Sequence, residues 1–238
     1  MIPNEPDFLN WMKTGDMQFV GKYDFPAIKG IKIKHPEDLS LLGFNYATNP
    51  KTKDKEKQWV HFFLPDYRFT QVWNNPQKYI EIFKQYKGIL TPNYSTYVGM
   101  SRAMQIWNIY RNCWLQAYYQ REGIKVLPAL LWSDEASYDY CFDWVPKHSA
   151  VVISTVGCMQ DKEAHRLFLK GFDKALEVCE PYQVIMYGKV TDDVYKMHPD
   201  IYRVPAMMEV RRNTVLRKTP KELLDIPKSP KLKLEEKS

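Results

Sequence analysis

No apolar run in this 238-residue chain is long enough to cross a membrane as a helix. The first ten residues carry Glu5 and Asp7, where a signal peptide needs basic and then apolar residues. A soluble protein of the cytoplasm, with no membrane partner, is therefore expected. The four cysteines, Cys113, Cys141, Cys158 and Cys179, are widely spaced and contain no C-x-x-C pair, so neither a zinc site nor a disulfide framework is signalled. Buried free thiols are the expectation. His35, His61, His148, His165 and His198 show neither H-x-x-x-H nor H-E-x-x-H spacing, which disfavours a zinc hydrolase. The glycines form no G-x-G-x-x-G, no G-x-x-x-x-G-K-[ST] and no G-x-S-x-G. Dinucleotide-binding, ATP-hydrolysing and α/β-hydrolase classes are disfavoured accordingly.

Positive charge is in modest excess: the net charge is +6 and the pI about 8.9. Such a balance invites a nucleic-acid reading, but its distribution weakens it. Residues 211–238 hold 9 Lys or Arg against 4 Asp or Glu, leaving 25 against 24 in residues 1–210. The body is nearly neutral, and the basic character is mostly a tail.

Hydrophobic patterning divides the chain into an irregular N-terminal arm packed on the domain (1–27), a single domain (28–210) and a basic, disordered tail (211–238). Strands are expected at 28–33, 59–64, 88–91, 124–132, 150–154, 182–187 and 201–208. Helical periodicity marks 76–86, 101–122, 137–144, 162–178 and a short turn at 192–197. The helix over 101–122 is expected to bury Ala103, Ile106, Trp107, Tyr110, Trp114 and Ala117 on one face. Continuous apolar strands separated by helices are the mark of parallel strands covered on both faces. The fold class is thus α/β with mostly parallel strands. A small or incomplete (β/α) barrel is favoured over an open doubly wound sheet.

In either architecture ligands collect at the carboxyl ends of the strands, and the residues there are unusually polar. Asp66, Asp134 and Glu135 are candidates for acid or base work, or for holding a divalent cation such as Mg, the one cofactor these oxygens suggest. Lys189, released from its strand by Gly188, is placed to neutralise a phosphate or a developing oxyanion. Arg68, Asn93, Ser95, Trp132, Ser133, Ser154, Thr155 and Tyr187 complete a candidate binding rim. The turn 154–157 offers hydroxyls and a glycine ahead of a helix, which suits an anion at a helix start. Asp134, Ser137 and Ser154 are equally suited to capping the helices that follow. His61 reads as a satisfied structural histidine. Arg111, at the border of the aromatic stripe, needs a carboxylate or anionic partner if partly buried.

Val60-His-Phe-Phe-Leu-Pro-Asp66, Trp73-Asn-Asn-Pro76, Pro92-Asn-Tyr-Ser95, Asn108-Ile-Tyr-Arg111, Val126-Leu-Pro128, Trp132-Ser133 and the 154–157 turn together resemble an uncharacterised domain family of bacteria, phages and plasmids. The resemblance spans residues 20–190 in order. It implies a phage or mobile-element protein working in a bacterial host cell, and supplies no mechanism. Members often carry Pro-Asp-aromatic-Ser, where this chain has Asn93, and Leu-Asp-Asp, where it has Leu64-Pro65-Asp66. Were those acids obligatory catalysts, the departures would imply an inactive protein. Three readings follow: an enzyme-like domain binding a phosphorylated ligand, nucleotide or nucleic acid; a carbohydrate-active hydrolase using rim carboxylates; or a non-enzymatic binder of host factors or nucleic acid. The sequence leaves the oligomeric state open.

Overall fold

The computed structural model describes residues 7–207, 209 and 210. The expectation for the 211–238 tail lies outside them. By its contacts the chain divides into Met1–Val204 and Pro205–Ser238. In the latter, the described residues contain a helical turn in which Val210 donates its N–H to the Ala206 carbonyl.

The arm comes first. β1 (Phe19–Val20) and β2 (Phe25–Pro26) form a small antiparallel hairpin. Asn10 donates to the Trp73 carbonyl at 2.9 Å, and Arg121 donates to the carbonyls of Lys13 and Thr14 at 2.8 Å each, while Phe25 is fully buried. The arm is thus tied down by backbone carbonyls as well as by its aromatics.

Strands and helices then alternate. β3 (Ser40–Gly43) runs into α1 (Phe44–Ala47), and β4 (Gln58–His61) leads to α2 (Thr70–Asn74) and α3 (Ile80–Phe83). β5 (Gly88–Leu90) precedes α4 (Arg102–Arg121), and β6 (Val126–Leu127) and β7 (Ala129–Leu130) precede α5 (Tyr138–Cys141). β8 (Ala150–Ser154) leads to α6 (Lys162–Cys179), β9 (Gln183–Tyr187) to α7 (Asp192–Met197), and β10 (Ile201–Val204) closes the series.

All these strands pair in parallel, as β3-β4-β5-β6 and as β7-β8-β9-β10. The two sheets meet in one extended segment. Pro128 has no N–H to donate and separates β6 from β7, yet its carbonyl accepts from Val152 at 2.8 Å. The strand order runs in sequence with no reversal, unlike a doubly wound sheet.

Both sheet faces are buried. On the helix-covered face, Val60, Phe62, Ile89 and Val126 pack with Phe44, Phe83 and Trp114, while Val151, Ile153, Val184 and Met186 pack with Phe168 and Phe172. The opposite face presents Trp59, His61, Leu90, Ala129, Ala150, Val152, Ile185 and Tyr187, all buried as well. The rings of His61 in β4 and Tyr187 in β9 lie 4.8 Å apart. In a flat sheet four strand spacings would hold them about 19 Å apart. The sheet therefore curls until its inner face packs on itself. No ladder joins β10 to β3 among the described residues.

Several expected boundaries shift for identifiable reasons. The 28–33 segment is not a strand: the Ser149 hydroxyl accepts the Ile31 N–H, and the Ile31 carbonyl accepts from Ala150. The expected 76–86 helix is split into a 3₁₀ turn, Pro76–Tyr79, and the short α3. The last strand stops at Val204, because Pro205 cannot extend the ladder. On α4 the expected face is partly wrong, since Ala103 is exposed and Trp107 is 38% exposed. From Asn112 to Tyr119 every α4 residue is buried, so the helix has no single apolar stripe.

Candidate functional site

A cleft of about 560 Å³ opens at the carboxyl ends of β4, β5, β7 and β8. Its apolar walls include Phe63, Tyr97, Leu131, Trp132 and Phe168, and its polar groups come from Asn93, Ser95, Thr96, Ser133 and Ser154. Not one charged side chain is among the described residues that line it. The Asn93 Oδ1 and Thr96 Oγ1 atoms are buried and make no hydrogen bond.

The cleft's shape depends on α4. β5 runs into an irregular loop whose backbone polar groups need partners, and the buried amides of α4 supply them. Asn112 accepts the Tyr94 N–H at 2.8 Å and donates to the Tyr94 carbonyl at 3.3 Å. Asn108 donates to the Ser95 carbonyl at 2.6 Å. The Gln116 side-chain Oε1 accepts from the Thr91 hydroxyl at 2.7 Å. One turn toward the helix start, Gln105 accepts from Ser133 at 2.6 Å and from Tyr140 at 3.1 Å. Gln105, Asn108, Asn112 and Gln116 recur at helical spacing, so one stripe of amides fixes both sides of the cleft mouth.

Asp66 acts on the same loop. Its carboxylate accepts the Ser95 hydroxyl at 2.9 Å and the Ser95 N–H at 3.2 Å, which ties the turn after β4 to the loop after β5. Arg111 lies beneath: its guanidinium stacks 3.6 Å from the Tyr94 ring centroid and donates to Asn108. Its Nε is buried with no hydrogen bond. Burial lowers its pKa, offset in part by charge interactions with Tyr94 and then Asp66.

Of the expected rim residues, the structure brings Asn93, Ser95, Trp132, Ser133 and Ser154 together in the cleft wall. Trp132 lies against α6, where it donates to the Leu167 carbonyl at 3.3 Å; a side chain at Gly171 would begin 2.0 Å from its indole nitrogen. Asp134, Lys189 and Arg68 lie off the cleft wall, the last two exposed. Arg68 instead leans on its neighbour Tyr67. Glu135 is exposed and pairs with Lys170, whose bond to it lowers its pKa. Thr155 is buried and donates to the Tyr187 carbonyl at 3.3 Å, and the Tyr187 ring packs on His61 and Phe63.

The turn 154–157 does not open a helix. α6 begins only at Lys162, and its first N–H groups meet the Asp161 carboxylate, which accepts from Ala164 at 2.8 Å. An acid occupies the position that an anion would take. Ser137 donates to the Asp134 carbonyl at 2.6 Å and makes no side-chain cap, and Ser154 accepts the Val156 N–H at 3.3 Å.

Burial pushes the thiols of Cys141 and Cys179 up to about 12 and that of Cys113 well above its ordinary range, so these three are inert packing groups. Cys158, in the cleft wall, is raised for the same reason. Among the described residues no group of three or more His, Cys, Asp or Glu converges as a metal ion requires.

Three features escaped the sequence reading. One is the amide stripe of α4, hidden because its members are polar and the aromatic period beside it is louder. Another is His61, whose Nε2 is buried without a hydrogen bond and so is not fully satisfied. The third is His165, 3.2 Å from Asp193, whose pKa is held down first by its bond from Thr191.

Residues 17–205 match a family described as "Domain of unknown function (DUF4417)". The chain is 35% identical over 216 residues to the Gene 1 protein of Mycobacterium phage L5, covering 90% of this chain and 91% of that protein. It is also 35% identical over 209 residues to the Gene 1 protein of Mycobacterium phage D29, covering 82% of this chain and 77% of the other. No solved structure matches it. No helix among the described residues is long and apolar enough to cross a membrane.

Proposed function

We propose that this chain, which belongs to the DUF4417 family, binds an uncharged planar group, the base of a nucleotide or nucleic acid, in the cleft at the carboxyl ends of β4, β5, β7 and β8. The observation that carries the reading is the cleft wall itself: aromatic and aliphatic surfaces, the amide of Asn93, the hydroxyls of Ser95, Thr96, Ser133 and Ser154, and no charge. A base offers flat apolar faces to the rings and N–H and C=O edges to amides and hydroxyls. Asn93 is the reader of that edge. Its Oδ1 is buried without a partner, so a turn of the amide that meets an N–H donor from the ligand relieves a cost the free protein carries.

This narrows the phosphorylated-ligand reading. A phosphate finds no cation in the cleft wall, so it remains outside while the base is enclosed. A hydrolase using facing carboxylates has less support, since the wall contains none. Asp66 already accepts both the N–H and the O–H of Ser95, which makes it a residue that positions the loop.

Titration calorimetry with the four ribonucleosides and their monophosphates tests the proposal, using Asn93→Ala as the site variant and Lys170→Ala as a surface control. At least one nucleoside is expected to bind, with binding weakened roughly 10-fold by Asn93→Ala, the size of one lost hydrogen bond. No heat from any nucleoside, or equal binding by Asn93→Ala, overturns the reading.

A further inference from the structure

We propose that the face made by the start of the arm and the first turns of α4 is the contact through which two copies of this chain pair about a twofold axis. None of its residues lines the cleft, so the proposal is independent of the base-binding reading.

The arm is amphipathic in the inverted sense. Over residues 8–14 the polar side chains turn inward: Asn10 is 1% exposed and donates to the Trp73 carbonyl, and Thr14 is 7% exposed and accepts from the Trp114 indole at 3.1 Å. Phe8, Leu9, Trp11 and Met12 are left outside, each more than half exposed. The segment is nonetheless anchored. The Asp7 carboxylate accepts the N–H of Trp11 at 2.7 Å and that of Met12 at 2.9 Å, which holds the 3₁₀ turn Trp11–Lys13 in place. A fixed segment that hides its polar groups and shows its apolar ones is the pattern of a surface covered by a partner.

The same face continues onto α4. Trp73 joins the two parts, since its indole donates to the Phe8 carbonyl at 3.1 Å and its ring meets that of Trp107 edge-on at 5.5 Å. Met104, one turn before Trp107, is 56% exposed. Six of the fifteen large hydrophobic side chains exposed among the described residues thus gather here. At ~200 Å² for a fully open large side chain, their exposed fractions amount to roughly 700 Å². That exceeds the ~300–600 Å² of a typical monomer's largest apolar patch and approaches the ~800 Å² that each partner gives to a stable interface.

Charge points to a second copy as the occupant. Asp7 pairs with Lys13 at 3.7 Å, and Asp16 with Arg121 of α4 at 3.6 Å, so these groups offer no excess of either sign to a strongly charged partner. A twofold axis sets the patch against itself, apolar surface on apolar surface with both signs of charge at the border.

Sedimentation velocity of the full chain from ~1 to ~100 µM tests the proposal, a range that spans micromolar dimerisation. A species of twice the 28.2 kDa chain mass is expected to grow with concentration. Phe8→Glu and Trp11→Glu, at side chains that are 77% and 63% exposed, should each weaken pairing at least ~10-fold while the circular dichroism spectrum stays that of the parent. Tyr182→Glu, at an exposed aromatic outside the patch, should leave the dissociation constant unchanged. A monomer at every concentration overturns the proposal and leaves the patch to a partner of another kind. A dimer that both folded arm variants retain at full strength overturns it as well, because the contact would then lie elsewhere.

Discussion

The two long helices of this protein solve opposite problems. α6 buries Phe168, Gly171, Phe172, Ala175 and Cys179 along one side and turns Glu163, Arg166 and Lys170 to solvent. α4 is enclosed over most of its length and carries polar groups inward, where Gln105, Asn108, Asn112 and Gln116 serve the loops of the rim. The contrast shows that polarity on a helix has no fixed meaning. On α6 it marks the surface, and on α4 it marks the part that shapes the cleft.

If buried polar groups are the sensitive points, the largest response belongs to His61, which α4 does not serve. Burial lowers its pKa from 6.5 to about 4. The unfolded chain then takes up the proton first, so this contribution is complete above about pH 6.5 and is lost as pH falls toward about 4, by about 3 kcal/mol for a shift of that size. Urea denaturation between pH 7 and 4 should show that loss, and His61→Phe should remove it from the profile. An unchanged slope in the variant would mean that other groups carry the acid sensitivity.

Asn112→Leu comes next. It leaves the buried Tyr94 N–H and carbonyl without their partners, for an expected loss of about 2–3 kcal/mol in the same denaturation experiment. A loss as small as that of a surface α6 variant would erase the distinction between the helices. On α6, Gly171→Ala should lower stability by about 1–2 kcal/mol despite alanine's better helix propensity, because the new methyl meets the Trp132 indole. A stabilised variant would show that Trp132 gives way freely. Smallest of all is Lys170→Ala, which removes an exposed pair with Glu135 and should leave the denaturation midpoint unmoved.

Much of the fold was legible because it obeys simple periodicity. The ends of α6, of β8 and of α7 follow from their apolar patterns and flanking residues, and Ser101 and Gly123 bracket α4 as start and stop signals do. The rim position was legible too, since Asn93, Ser95, Trp132, Ser133 and Ser154 all follow apolar strands and all line the cleft. What was hidden depends on long-range packing. The buried edge of α4 is set by a sheet that encloses it, so Trp107 and Ala103 turn out where a lone amphipathic helix would turn them in. The pairing of Glu135 with Lys170, 35 positions away, is likewise a contact that no local pattern announces.

The central claim is that the cleft recognises a neutral base and leaves the phosphate in solvent. Its most direct test is the binding constant of the tightest nucleoside monophosphate measured at 50 and 500 mM salt. The account predicts constants equal within about twofold, because no cation of the cleft wall is there to be screened. A fall of tenfold or more, with the bare nucleoside failing to bind, would contradict it.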